Sequence, residues 1–285
     1  MKIAADLHLH SHYSDGSKSP KEIVWEAKSR GLEALGLTDH ETVSGLSEFM
    51  HAAEVAGLDA LPGIEITCRG DIHILGYGID FLQTEKMENF FAHRRIEYER
   101  SVYIVLERYR AAGIMDVSIE EIRKVVGFKG LAGTMHVAAY RHLGLHVSQE
   151  QIKQEVSRDG GICRVTCDSD FYPTTQESID FIRSVGGIAI LAHPANTFLK
   201  SGTVYAKNPT TLYELLCKFK REGIAGIEVY HSKHNFMESA ELLMLARKLN
   251  LLVTGGSDDH GRYKSHGIGN AGISHAEFLR LKEAL

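Results

Sequence analysis

Short apolar runs recur along the chain: Lys2 to Leu7, Ala34 to Leu37, Ala60 to Ile66, Ile72 to Tyr77, Ile188 to Leu191, Gly226 to Tyr230 and Leu251 to Thr254. Most stop abruptly at polar residues, the pattern of strands buried on both faces in a parallel sheet. Several are separated by amphipathic stretches with readable helix starts. Ser19-Pro20-Lys21-Glu22 predicts a capping box with proline at the first helical position, so that serine and glutamate satisfy otherwise orphaned N–H groups. Ser118 to Glu121, Ser148 to Gln151 and Ser274 to Glu277 repeat the spacing. Strand–helix alternation of this kind predicts an α/β fold with a parallel sheet, either barrel-like or doubly wound. From about Thr84 to Ser157 the pattern is almost wholly helical. Residues 83–157 are therefore expected to form a helical insertion between two parts of one α/β domain, 1–82 and 158–285.

Composition narrows the function. The chain has 285 residues, 44% hydrophobic and 24% charged, ordinary values for a globular domain. Its formal net charge of −5 disfavours a stable nucleic-acid partner, since duplex binding depends on many basic contacts to phosphate. No run approaches the roughly 20 apolar residues of a membrane span, and the start of the chain does not read as a signal peptide. Four cysteines offer no disulfide framework for this length, so a reducing, cytoplasmic setting is expected. Cys163 and Cys167 lie four apart but read as ordinary thiols. The outlier is histidine, with 16 residues.

The histidines fall where apolar runs end. The first run leads into Asp6-Leu7-His8-Leu9-His10. Side chains two apart on a strand share a face, so His8 and His10 can converge on one ion. Asp15 follows on a turn; the second run stops at Thr38-Asp39-His40, the third reaches Glu65, and the fourth contains His73. Beyond the insertion come Ala192-His193-Pro194, Glu228 with His231, and Ser257-Asp258-Asp259-His260. A single such residue is commonly a core histidine or a capping aspartate; six strand ends finishing this way are hard to assign to chance. The C-terminal strand ends of an α/β barrel build its active site. Imidazole with carboxylate suits manganese, zinc or iron, and carboxylates can bridge two ions.

In this order, HxH, a downstream aspartate, TDH, GxE, an isolated histidine, AHP and GSDxH resemble the pattern of the PHP (polymerase and histidinol phosphatase) family. The resemblance covers about Met1 to Asp80 and Gly161 to Gly272. It implies a distorted (β/α)7 barrel, here with the helical insertion, and two or three divalent ions, manganese first. It implies one ion on His8, His10, Glu65 and Asp258, a second sharing Glu65 with His73 and His193, and a third on Asp15, His40 and His260. Such ions relieve the charge repulsion that protects a phosphate ester and lower the pKa of bound water. His231 is the candidate acid or phosphate donor, with a ligand-orienting role as its rival. Asp39 and Glu228 are expected to orient ligands rather than bind metal.

The likeness is strongest to the small stand-alone phosphoesterases, which carry Ser-Asp-Gly after HxH and a helical insertion. Many of these hold a second substrate phosphate with Arg-Pro-His in the insertion. Here the comparable stretch is Leu131-Ala132-Gly133-Thr134-Met135-His136-Val137, and TDHD becomes TDHE at Glu41. The departure favours a sugar cyclic phosphodiester, such as a phosphoribosyl cyclic phosphate, or a sugar phosphate. Nucleoside 3′,5′-bisphosphates and oligonucleotide ends are the alternative. A polymerase proofreading module, histidinol phosphatase and a metal-stabilised scaffold fit less well. Lys129, His136 and Arg141 are the insertion residues expected to meet a distal phosphate.

Overall fold

A computed structural model describes residues 2–130, 133–157, 160–165, 171–199, 210–263 and 267–285. Leu131, Ala132 and Cys167, and the expected boundary at 158, lie outside them. Seven strands form one sheet in sequence order: β1 Ala5–Leu9, β2 Ala34–Leu37, β3 Asp59–Cys68, β4 Ile72–Tyr77, β5 Ile188–Leu191, β6 Gly226–His231 and β7 Leu252–Gly256. The sheet curls into a nearly closed barrel. The seam between its first and last strands is joined by His10 N–H to Asp259 O (3.0 Å) and Asp258 N–H to His8 O (2.9 Å).

The distorted barrel is as expected, but the parallel pairing read from the strand–helix alternation has an exception at β4, which runs antiparallel to both β3 and β5. Only Arg69-Gly70-Asp71 separates β3 from β4, with Gly70 at φ +76° and Asp71 at +62°. Three residues can make a hairpin but not the crossover of a dozen or more that parallel neighbours require. The remaining pairs, β1–β2, β2–β3, β5–β6 and β6–β7, are parallel.

Helices α1 Pro20–Ser29, α2 Leu46–Ala56, α7 Thr175–Ser184, α8 Thr210–Glu222 and α9 Phe236–Lys248 pack outside the strands, and α10 His275–Glu283 packs with the interior residues Ala5, Leu7, Tyr77 and Ile190. Ser19 and Ser118 close reciprocal capping boxes, whereas Ser148 and Ser274 cap in one direction only. Between β4 and β5 lie α3 Thr84–Ala111, α4 Ile119–Val126, α5 Thr134–Leu143 and α6 Gln149–Glu155. Their apolar residues, among them Val105, Tyr109, Ile122, Phe128 and Val137, form a core of their own that extends to Cys163. Helix α3 belongs to both parts: Met87 and Phe91 pack into the barrel's outer layer, and Val102 to Tyr109 into the insertion. Among the described residues no helix is long and apolar enough to cross a membrane.

Candidate metal centre

Strand β1 sets the geometry. Ala5 and Leu7 pack in the barrel interior, but the β1–β2 register slips between Asp6 and Leu9, and Leu9 packs outward. His8 and His10 therefore take the face opposite Leu9, where both are fully buried. Two glycines allow this. A Cβ on Gly256 would lie 2.3 Å from that of His8, and one on Gly16 would lie 2.2 Å from the carbonyl oxygen of His10. Nearby backbone is strained: His193, Glu41 and Asp258 have φ of +29°, +48° and +55°. Left-handed backbone at non-glycine residues is costly and persists where the surroundings impose it.

Glu65 on β3 is the hub. Its Oε2 lies 3.1 Å from His8 Nε2, 3.1 Å from His10 Nε2 and 3.4 Å from His40 Nε2. Its Oε1 lies 2.8 Å from His73 Nδ1 and 3.2 Å from His193 Nε2. Asp258 Oδ1 is 3.4 Å from His10 Nε2 and 3.8 Å from His8 Nε2. On the other side of His10, Asp15 Oδ2 is 3.2 Å from His260 Nε2 and 4.0 Å from His40 Nε2. All nine residues expected as ligands thus meet at the C-terminal end of the barrel. His10, Asp15, His40 and His260 have ligand atoms within 4.8 Å of one another, as have His8, His10 and Glu65, and also His40, Glu65 and His73. His10 accordingly joins the set expected for Asp15, His40 and His260.

Electrostatics test whether this constellation suits cations. Burial would raise the carboxyls of Glu65 and Asp15, but surrounding imidazoles hold both well below the usual range, His40 and His8 at Glu65, His260 and His40 at Asp15. Burial would likewise lower His8 and His10. Glu228 and Glu65 instead raise His8 well above its ordinary value, while Asp258 and Glu65 bring His10 to about 9. Protons here balance carboxylate charge that divalent ions would balance when bound. Both ring nitrogens of His10 and Nδ1 of His193 are buried without a hydrogen bond among the described residues. Orphaned buried nitrogens between carboxylates fit metal ligation.

Neighbouring groups orient the candidate ligands. Glu228 Oε1 meets His8 Nδ1 at 3.0 Å and its Oε2 accepts the His193 amide at 2.8 Å. The carbonyl of Asp258 accepts from His260 Nδ1 at 2.9 Å, leaving Nε2 toward Asp15. Asp39 orients differently from expectation. It accepts from Ser11 N–H, Ser11 Oγ and Ser14 Oγ, each at 2.6 Å, and so fixes the loop carrying Asp15. His231 Nδ1 accepts the Lys233 amide at 3.1 Å, so its neutral ring carries the proton on Nε2, 3.4 Å from Asp258 Oδ2. Burial lowers its pKa and favours that neutral form.

Two of the insertion residues expected at a distal phosphate are committed elsewhere. His136 Nδ1 accepts Gly133 N–H and its Nε2 donates to Ser14 O, both at 2.8 Å, while the ring stacks on Phe128. With no N–H to spare, it ties the insertion to the Asp15 loop. Arg141 forms a buried ion pair with Glu155, Nη2 to Oε1 at 2.5 Å, inside the insertion core. Lys129 is exposed, its ammonium 5.4 Å from the centre of the Tyr13 ring. Two residues and a cavity were not anticipated. Glu41 accepts from Thr67 N–H (2.7 Å), Tyr98 OH (2.9 Å) and Arg94 Nη1 (3.3 Å). This joins the His40 loop to α3, and only the departure at Glu41 hinted at it. Lys233 brings its ammonium 3.4 Å from Asp258 Oδ2. A cavity of about 510 Å³ lies between barrel rim and insertion, lined by Asp15 and His40 of the cluster and by Phe91, Arg94, Arg95 and Tyr98 of α3.

The PHP domain model matches residues 6–159, more than half of the chain. Two relatives match across nearly the whole length. Phosphoribosyl 1,2-cyclic phosphate 1,2-diphosphodiesterase of Eggerthella lenta is 29% identical over 90% of this chain and 94% of its own. The 3′,5′-nucleoside bisphosphate phosphatase of Chromobacterium violaceum is 28% identical over 96% and 92%. Among solved structures, one from Bifidobacterium adolescentis assigned as a metal-dependent phosphoesterase aligns with a TM-score of 0.83 and 27% identity, covering 97% and 94%.

Proposed function

The chain belongs to the PHP domain family, and from that premise we propose that it hydrolyses a small sugar phosphate ester, with a sugar cyclic phosphodiester such as a phosphoribosyl cyclic phosphate as favoured substrate and inorganic phosphate as product. It is a metal-dependent phosphoesterase. The observation that carries the chemistry is Glu65, its two oxygens facing five imidazoles within 3.4 Å. Glu65, His8, His10 and Asp258 would hold one ion, Glu65, His73 and His193 a second, and Asp15, His40 and His260, with His10 at hand, a third. When bound, the ions supply charge neutralisation for the phosphoryl oxygens and activation of water.

The chain's own residues do the rest. Glu228 holds His8, and the Asp258 carbonyl holds His260, with a nitrogen toward the cluster. His231 directs Nε2–H to the same place, suited to donating to a phosphoryl oxygen or to the departing alkoxide. Opening a cyclic diester breaks one P–O bond as water adds to phosphorus. The resulting monoester then needs a second water and the cleavage of its remaining ester bond to release phosphate.

Substrate choice rests on the insertion, residues 83–157. Its α5 start has no arginine at the comparable stretch, and His136 is fully engaged. At that position of the insertion an arginine fork would give a bidentate contact to phosphate that histidine cannot replace. Nucleoside 3′,5′-bisphosphates are the second reading, favoured by the Chromobacterium relative. A side-by-side comparison of the manganese-loaded enzyme on the two classes, following phosphate release, decides between them. The expected result is higher kcat/KM on the cyclic sugar phosphate. Turnover of adenosine 3′,5′-bisphosphate above about 10⁴ M⁻¹s⁻¹, already ordinary enzymatic efficiency, would overturn the choice.

A further inference from the structure

Resting on that functional reading, we infer that Arg95 selects substrates bearing a second phosphate monoester beyond the ester that is cleaved. The cavity beside the cluster has about 510 Å³, within the roughly 300–1,000 Å³ usual for small-molecule sites. An ester seated at Asp15 and His40 would extend into this cavity, whose lining also includes Tyr13 and, on α3, Phe91 and Tyr98. Among its described lining residues, the permanent cations are Arg94 and Arg95. They differ in what already holds them. Arg94 is buried, its Nη1 at Glu41 (3.3 Å) and its Nη2 at the Thr67 carbonyl (3.0 Å), so its charge is spent on the His40 loop.

Arg95 meets Glu88 at 3.2 Å, and the two side chains are 39% and 65% exposed. An ion pair this exposed is weak and exchanges readily for a better anion. A phosphate monoester carries up to two charges and matches the guanidinium fork with two parallel hydrogen bonds. Glu88 then acts as the competitor that keeps Arg95 over the cavity when no substrate is there. Of the cations outside the lining, Lys18 pairs with Glu26 and Asp259 and Lys233 with Asp258, while Lys129 stands exposed against the Tyr13 ring. This cavity wall is on α3, distinct from the α5 start where Arg-Pro-His stands in relatives.

The test compares 5-phosphoribosyl 1,2-cyclic phosphate with ribose 1,2-cyclic phosphate, the same ester without the distal phosphate. Wild type should prefer the phosphorylated substrate. Arg95→Gln should cut that preference, as a ratio of kcat/KM, at least about tenfold, mainly through KM, as expected for a lost charge-assisted contact. Glu88→Gln should increase it. Elemental analysis, with metal content unchanged, verifies that both variants fold. An unchanged ratio in Arg95→Gln overturns the inference. If wild type hydrolyses neither ester, the functional reading fails and the subsite is judged by calorimetric titration of the full chain with ribose 5-phosphate. Weaker binding in Arg95→Gln then supports the subsite, and equal binding removes it.

Discussion

At the residue scale, the site is organised by the sharing of one carboxylate. Glu65 is 1% exposed and faces five histidines, so replacing it removes the carboxylate they share and leaves buried imidazoles facing one another. Glu65→Gln is expected to lose bound metal and nearly all phosphatase activity; elemental analysis with a turnover assay measures both, and wild-type metal content would refute the hub. His231 makes a different prediction, because its Nδ1 is taken by the Lys233 amide. With only Nε2–H to offer in its neutral form, it is the proposed donor, although it also lies within ligand distance of His8 and Glu228. His231→Gln should keep the full metal complement while kcat falls about 10²–10⁴-fold, the usual range for a proton-transfer group. Loss of an ion in that variant would reassign His231 to the metal.

At the element scale, α3 does two jobs in one helix. Its outer half builds the insertion core, and its first half reaches back to the metal loops through Arg94, Tyr98 and Glu41. Glu41 follows His40 directly and sits in left-handed backbone, so its side-chain partners bear on where His40 points. Aspartate keeps the charge but is one methylene shorter, and it cannot span the same distances to Tyr98 and Arg94. Glu41→Asp, and more mildly Tyr98→Phe, should weaken the ion proposed for Asp15, His40 and His260 by about 10–100-fold, the usual effect of losing an orienting partner. Manganese titration would reveal it as one weakened equivalent among several. Uniform weakening of every ion would argue against this link. The hairpin between β3 and β4 is the other decisive element. It turns β4 back so that His73 stands across from Thr67 and within reach of Glu65.

At the scale of the whole molecule, stability and metal are coupled through protons. His10 titrates near 9 in the metal-free fold against about 6.5 unfolded, and His8 is raised as well. A raised histidine stabilises fully below its unfolded pKa, and that contribution disappears as pH rises through the folded value. Metal-free protein should therefore lose a few kcal/mol between about pH 6.5 and 9. Asp15, Glu65 and Glu228, all depressed, set the acid limb, losing their contribution as pH falls below the ordinary carboxylate range. Ions displace protons from the same imidazoles, so manganese should raise Tm more at pH 9 than at pH 6.5. Melting curves with chelator and with manganese at the two pH values measure this. A metal-free Tm higher at pH 9 would contradict the assignment of charge in the cluster.

Periodicity and punctuation are local, and what they encode was legible in the chain. All seven strands lie where the apolar runs are, because burial on both faces demands continuous apolar residues. Ser19 and Ser118 close their capping boxes because both partners lie within one turn. The nine candidate ligands were recognisable since each stands at or near a strand end or in the turn after it, and the barrel gathers those ends. Three outcomes needed the tertiary structure. The direction of β4 follows from a three-residue connection whose meaning depends on which strand it joins. His136 and Arg141 carry the right chemistry for phosphate, yet Ser14 and Glu155, 122 and 14 residues away, engage them first. The link of Glu41 to Arg94 and Tyr98 spans 53 and 57 residues. A side chain's type sets what it can bind, but the partner that actually reaches it is chosen by packing, and packing between distant segments leaves no periodic trace in the sequence.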